Sequence, residues 1–171
     1  VCGVTSLMTS DWTSVGPNSF TNSTMGRATA LSVDPNNTND IVLGTRSSGI
    51  WKTTDGGSNW INITGFTNPG LGIDRIVRYN TTTDVLLATT QFNGSDVSLY
   101  SAGLFKSSDA GGSWSEVSSY PSEYELTGYP WLTALASSES DDLFYIGNKQ
   151  KMFSISTGWS WLSKPGYPSE K

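Results

Sequence analysis

Two aspartates stand in the same repeated frame. Asp55 lies in Thr53-Thr-Asp55-Gly-Gly57-Ser-Asn-Trp60, and Asp109 lies in Ser107-Ser-Asp109-Ala-Gly111-Gly-Ser-Trp114. In each, a hydroxyl residue precedes the Asp by two, Gly follows by two and Trp by five. A carboxylate can act as general acid, base or nucleophile, and glycoside cleavage needs two of them across the scissile bond. The neighbours point elsewhere. An Asp followed by turn residues accepts hydrogen bonds from the backbone N–H groups after it. Gly57 permits a positive φ that other residues resist, and Trp60 can lay its ring over the turn. The whole frame is accounted for by folding a hairpin, so a structural role is expected for Thr53, Asp55, Gly57 and Trp60, and for Ser107, Asp109, Gly111 and Trp114. A worn third copy keeps Ser154, Gly158 and Trp161 but has Ser156 where the Asp belongs. A hydroxyl there would cap the turn more weakly. No catalytic residue is assigned.

Other chemistries find less support. The chain has no His, which removes Ser-His-Asp triads and His-ligated metals. Cys2 is the only cysteine; it is read as a small buried or terminal thiol, or as the partner of a cysteine outside this chain. Glycine-rich stretches lack the Lys-Ser/Thr of a phosphate loop. Arg27, Arg46, Arg75 and Arg78 could hold a carboxylate bidentately, but strand-end surface charge is the expected role. Asp74, Asp96, Glu123 and Glu125 are loop acids that nothing pairs. Asp34–Asp40 could bind calcium, though a plain Asx turn around Pro35 explains it, and no cofactor is expected.

Candidate binding residues fall in two long connections. Gln91–Ala102 carries Asn93 and Asp96 and replaces a gap that is only Ser47-Ser48 in the preceding unit. Long loops on a rigid sheet are where recognition usually sits. Tyr120–Trp131 carries Tyr124, Tyr129 and Trp131, which could stack on sugar rings or a partner protein, or could link two sheets. Five Asn-x-Ser/Thr sequons, at Asn22, Asn36, Asn62, Asn80 and Asn93, are acceptors for glycans in a eukaryotic secretory pathway. Abundant Asn, Ser and Thr produce such triplets by chance, so they support a surface location only weakly.

The elements that hold these residues are strands. Trp12, Trp60, Trp114 and Trp161 are 48, 54 and 47 residues apart, close to the roughly 40–50-residue period of propeller blades. Within the first unit, Arg27–Val33, Asp40–Arg46, Gly49–Thr54 and Asn59–Thr64 are short apolar runs between turn-formers. The second unit repeats them at Asp74–Tyr79, Asp84–Thr90, Gly103–Ser108 and Ser113–Val117, and the third at Trp131–Ser137, Asp142–Gly147, Lys151–Ile155 and Trp159–Ser163. No stretch shows a helical period. The expected class is all-β: β-propeller blades of four antiparallel strands, with units at about 20–64, 72–118 and 130–164, and 10–15 as the last strand of a preceding or closing blade.

Composition agrees. Only 15% of the 171 residues are charged, too few to clothe long helices, while seven Trp supply core material. The net charge is −5 with no Lys/Arg cluster, which argues against nucleic acid as a partner. No apolar run approaches the roughly 20 residues of a membrane span. The chain starts at Val1, so a mature product or an internal fragment is expected.

The two complete frames resemble the bacterial neuraminidase repeat, or Asp-box. The blade Gly26-Arg27-Ala-Thr-Ala-Leu-Ser-Val-Asp34-Pro35-Asn36-Asn37-Thr-Asn-Asp40-Ile41, followed by Gly49-Ile50-Trp51-Lys52, resembles those of sortilin-type, xyloglucanase-type and sialidase-type propellers. It is most similar to large secreted surface proteins of Bacteroidetes-type bacteria exported by the type 9 secretion route. The resemblance runs from about Trp12 to Trp161. It implies a fold more than a function, because such repeats serve enzymes, receptors and assembly factors. Such propellers have roughly six to eight or more blades, whereas about three to three and a half fit here. The chain is therefore expected to be part of a longer protein, or to close with other subunits.

A sialidase is implied to need three clustered arginines, a Tyr/Glu nucleophile pair and an acid, and no such motif is present. A xyloglucanase is implied to carry one acid just before the third strand of a blade, a position near Arg46 here. The expected function is a non-catalytic secreted or cell-surface module for adhesion, assembly, or binding of a glycan or surface protein. The alternative is a fragment of a glycoside hydrolase whose acids lie outside this chain.

Overall fold

The computed structural model describes residue 16 and residues 27–63, 72–80, 84–91, 103–117, 132–138, 140, 142–148, 152–157 and 161–162. The described residues form twelve strands and no helix: β1 (Ala28–Val33), β2 (Ile41–Thr45), β3 (Ile50–Thr53), β4 (Ile61–Ile63), β5 (Gly72–Asn80), β6 (Asp84–Gln91), β7 (Leu104–Ser107), β8 (Ser115–Glu116), β9 (Leu132–Ser138), β10 (Leu143–Asn148), β11 (Met152–Ser156) and β12 (Trp161–Leu162). They make three four-stranded antiparallel meanders, β1–β4, β5–β8 and β9–β12. Asn, Asp, Pro and Gly separate the strands, as turn chemistry requires. Nothing else in the described chain competes with these short apolar runs.

The sheets pack face to face, and β6 shows how its sequence arranges this. Its run Val85-Leu86-Leu87-Ala88 is wholly buried, yet side chains alternate between faces along a strand. Leu86 and Ala88 join Val42, Ile50, Ile73, Ile76 and Trp114 in a core between the first and second sheets. Val85 and Leu87 join Tyr79, Leu104, Val117, Phe144, Ile146 and Ile155 in a core between the second and third. This strand is thus covered on both faces, which is why it reads as continuously apolar. Fully burying Leu86 or Leu87 stabilises by roughly 1.5–3 kcal/mol each. Tyr79 meets Phe144 edge to face, with ring centroids 6.2 Å apart at 67°.

The first strands of the three sheets lie side by side, with β5 against β1 and β9. Each carries an irregularity at the same place, leaving Thr29, Asp74 and Thr133 as extra residues opposite the neighbouring strand. Gly44 marks a close approach of the first two sheets: a Cβ there would fall 2.6 Å from Ile73 Cγ2. Sheets stacked in this way, with their first strands together, form an arc of a β-propeller. The fourth strands are shorter than their apolar runs predict, because the residues before Ile61 and Ser115 are taken up by the preceding turn.

Candidate functional site

The patterned aspartates sit at the hairpin tips β3–β4 and β7–β8. The Oδ1 of Asp55 accepts hydrogen bonds from the Thr53 hydroxyl (2.8 Å) and the Asn59 N–H (2.8 Å), and its Oδ2 accepts from Asn59 Nδ2 (2.7 Å). Thr53 Oγ1 in turn accepts from the Gly57 N–H at 3.0 Å. Asp109 repeats the pattern with the Ser107 hydroxyl (2.7 Å), the Ser113 N–H (2.8 Å) and the Ser113 hydroxyl (2.6 Å), while Ser107 Oγ accepts from Gly111 N–H (2.8 Å). Positive φ follows each Asp, at Gly56 and Gly57 (69° and 94°) and at Ala110 and Gly111 (58° and 84°).

These bonds fix the chemistry of the acids. The Asn59 backbone N–H, then its side-chain amide and the Thr53 hydroxyl, hold the Asp55 carboxyl down at about 2. At Asp109 desolvation pushes upward, but the Ser113 side chain and N–H and the Ser107 hydroxyl outweigh it, so the carboxyl is lowered. A carboxylate locked ionised by its own turn is a poor proton donor.

The turns also reach across the seam between sheets. Gly56 N–H bonds Asn39 O (3.1 Å) and Ala110 N–H bonds Asp84 O (3.0 Å), tying each tip to the start of its own second strand. A Cβ on Gly111 would lie 2.8 Å from Val42 of the first sheet. Trp114 is buried in the shared core and donates from Nε1 to Gly111 O at 3.1 Å. Lys52 of the first sheet donates to Ala110 O at the tip of the second.

The third copy is built differently. Leu143 pairs with Ser156, and Ile155 pairs directly with Trp161, so the ladder runs on through Ser156 and only residues 156–160 connect the strands. In the first two sheets residues 53–60 and 107–114 make that connection. Thr157 N–H bonds Asp142 O at 2.9 Å, close to the ties made by Gly56 and Ala110. Gly158 lies outside the described residues.

A second constellation lies in the same seam and corrects the strand-end surface role expected for Arg78, which is buried and holds carboxylates. Arg78 on β5 is 4% exposed, and its Nη2 meets Asp40 Oδ1 at 2.8 Å while Nη1 meets Asp84 Oδ2 at 3.0 Å and Asp34 Oδ2 at 3.4 Å. Lys52 Nζ meets Asp40 Oδ2 at 2.9 Å. Burial pushes the Asp84 carboxyl up; Arg78 opposes this, and Asp34 and Asp40 reinforce it. The acids weighed above as calcium ligands are therefore engaged by the protein's own cations, and Asp34 Oδ1 also accepts from Asn36 N–H at 2.8 Å. The one hint in the sequence was a charge set among the apolar residues of β5.

Of the remaining expected residues, Asp74 is the extra residue in β5 and faces Arg75 at 3.7 Å. Asn36 is exposed in the β1–β2 turn, and Asn80 ends β5 opposite Asp84. Asn62 Nδ2, the atom that would carry a glycan, donates to Ser48 O (2.9 Å) and Ile50 O (3.3 Å). Cys2, Trp12, Asn22, Asn93, Asp96, Glu123, Glu125, Tyr124, Tyr129 and Trp131 lie outside the described residues. Among the described residues no group of three or more acids, His or Cys is arranged to hold a metal ion, and no helix is long and apolar enough to cross a membrane.

No family model matches the chain. Over 116 residues it is 29% identical to a xyloglucanase of Hypocrea jecorina, and over 108 residues 29% identical to a xyloglucanase of Paenibacillus sp. These stretches take in 58% and 55% of this chain but only 14% and 10% of the relatives' own length. Among solved structures, YCF48 from Cyanidioschyzon merolae superposes with a TM-score of 0.54 at 13% identity, covering 81% of this chain and 37% of that one. A GH74 enzyme from Niastella koreensis superposes with a TM-score of 0.55 at 20% identity, covering 77% and 20%. Both likenesses establish the β-propeller fold.

Proposed function

We propose that this chain supplies blades to a non-catalytic β-propeller module of a secreted or cell-surface protein, completed by the rest of a longer chain or by other subunits. The module serves adhesion, assembly, or recognition of a glycan or surface protein. One observation carries the reading: Asp55 and Asp109, the two acids the sequence singles out, are committed by hydrogen bonds to their own turns. In this reading the turns are Asp-box repeats that shape blades. Secretion by the type 9 route, and recognition through Asn93, Asp96, Tyr124, Tyr129 and Trp131, belong to the same proposal.

A second reading has its own support. Two xyloglucanases share 29% identity with the chain, which favours a piece of a glycoside hydrolase whose acid pair lies elsewhere in the protein. Isothermal titration of this chain and of the full-length protein with xyloglucan oligosaccharides, alongside assay of reducing ends, separates the two. Binding without cleavage by either protein supports the module. Cleavage by the full-length protein alone moves the assignment to the hydrolase, and cleavage by this chain alone overturns the non-catalytic assignment.

A further inference from the structure

Among the described residues, the ion-pair cluster in the seam between the first two sheets has more carboxylates than cations. Asp34 and Asp40 come from the β1–β2 connection and Asp84 from the start of β6, facing Lys52 of β3 and Arg78 of β5. Three carboxylates thus share two cations. Asp40 has both oxygens engaged, one by Arg78 and one by Lys52. Asp84 has Oδ2 on Arg78, while its Oδ1 is buried with no hydrogen-bond partner among the described residues. An ionised oxygen removed from water and left unpaired is costly. A proton on Oδ1 would remove that cost and leave Oδ2 as a hydrogen-bond acceptor for Arg78, giving up the charge attraction between them, and would bring these five groups to neutrality.

We propose that the Arg78 cluster is an acid-strengthened latch: mild acid adds a proton at Asp84 and tightens the first sheet against the second. Most ion-paired seams behave in the opposite way, because their carboxylates are held ionised and acid dissolves the pair. The direction follows from the environment of Asp84, which raises its carboxyl above the ordinary 3.8. A carboxyl raised on folding contributes stability that is complete below its unfolded value and is lost as pH rises through its folded value. The contribution of Asp84 to the latch is therefore complete below 3.8 and is lost as pH climbs through its raised value. Among the described residues Asp34, Asp40, Lys52 and Arg78 are the charged groups that act on it; Arg78 and then Lys52 work against the proton, and Asp34 and Asp40 favour it.

The test is a titration of side-chain carboxyl carbons by NMR on the folded protein, with Asp84→Asn used to assign the Asp84 resonance. The latch requires a midpoint above 3.8 for Asp84. It also requires that, as pH is lowered from neutral to 3.8, the melting temperature of the wild-type protein gain relative to that of Asp84→Asn. Should the Asn variant fail to fold, Lys52→Met serves instead: losing that cation must move the Asp84 midpoint further upward. A midpoint at or below 3.8, equal pH responses of wild type and Asp84→Asn, or an Asp84 midpoint unmoved in Lys52→Met overturns the latch.

Discussion

Asp109 and Asp84 belong to segments that touch, since Ala110 N–H bonds the carbonyl of Asp84, yet their carboxyls are displaced in opposite directions. Asp109 is met by donors supplied within its own turn: two hydroxyls and a backbone N–H. Asp84 is met by one guanidinium that it shares with two other carboxylates, and one of its oxygens has no hydrogen-bond partner among the described residues. Local hydrogen bonds form with little loop-closure cost and suit the ionised form. The cluster, by contrast, exists only when two sheets meet. One aspartate therefore stabilises a hairpin by itself, whereas the other reports on the packing of the arc.

The comparison is tested most severely at Arg78. Replacing it by Met leaves three carboxylates facing one another in the seam, and removing one partner of a buried ion pair costs about 3–5 kcal/mol. Urea unfolding at neutral pH should show that loss, and it should exceed the loss for any single change in the turns. A smaller loss would mean that the seam tolerates its charges unpaired, and the contrast between shared and local donors would fail.

Asp109→Ala is the matching change in a turn. It removes the acceptor of three hydrogen bonds within the turn, a loss on the order of 1 kcal/mol for partly exposed groups, measurable by the same unfolding curves. Asp55 adds a pH signature. Its carboxyl is held at about 2, below the ordinary 3.8, so its contribution is present above 3.8 and drains away as pH falls through about 2. In Asp55→Asn that acid-dependent loss should shrink, read as a flatter dependence of melting temperature on pH in the acid range. Acid should thus weaken the turns while it strengthens the seam.

How much of this was legible in the sequence follows the same division. The propeller class was readable because spaced Trp residues, turn-formers and short apolar runs are local signals, and the described residues form four-stranded antiparallel sheets. The backbone N–H donors to Asp55 and Asp109 were expected from the turn chemistry; the side-chain donors Thr53, Asn59, Ser107 and Ser113 lie within four residues of them but were not assigned. Arg78 was not readable. Its partners Asp34 and Asp40 lie 44 and 38 positions away, and nothing local marks an Arg as buried. The reach of Lys52 to Ala110 was hidden for the same reason. The different closure of the third hairpin was hidden too, because Ser154, Ser156 and Trp161 keep the spacing of the frame while Ser156 enters the ladder.

The two turns differ in one backbone detail that gives the finest test. After Asp55 the first positive φ falls on Gly56, at 69°, but after Asp109 it falls on Ala110, at 58°. An L-residue with a side chain disfavours this region by roughly 1–2 kcal/mol, while glycine enters it freely. Against that, glycine loses about 0.4–1 kcal/mol through the greater freedom of the unfolded chain. Ala110→Gly should therefore stabilise the protein slightly, by at most about 1.6 kcal/mol. Gly56→Ala should destabilise it by at least as much, since a Cβ there also meets Asn39 Oδ1 at 3.1 Å. Paired melting curves of the two variants decide the matter. Opposite signs would show that both turns demand the same backbone and that the second tolerates Ala110 at a cost. Equal destabilisation would show instead that the methyl of Ala110 is supported by packing in the seam, making the second turn less local than its hydrogen bonds imply.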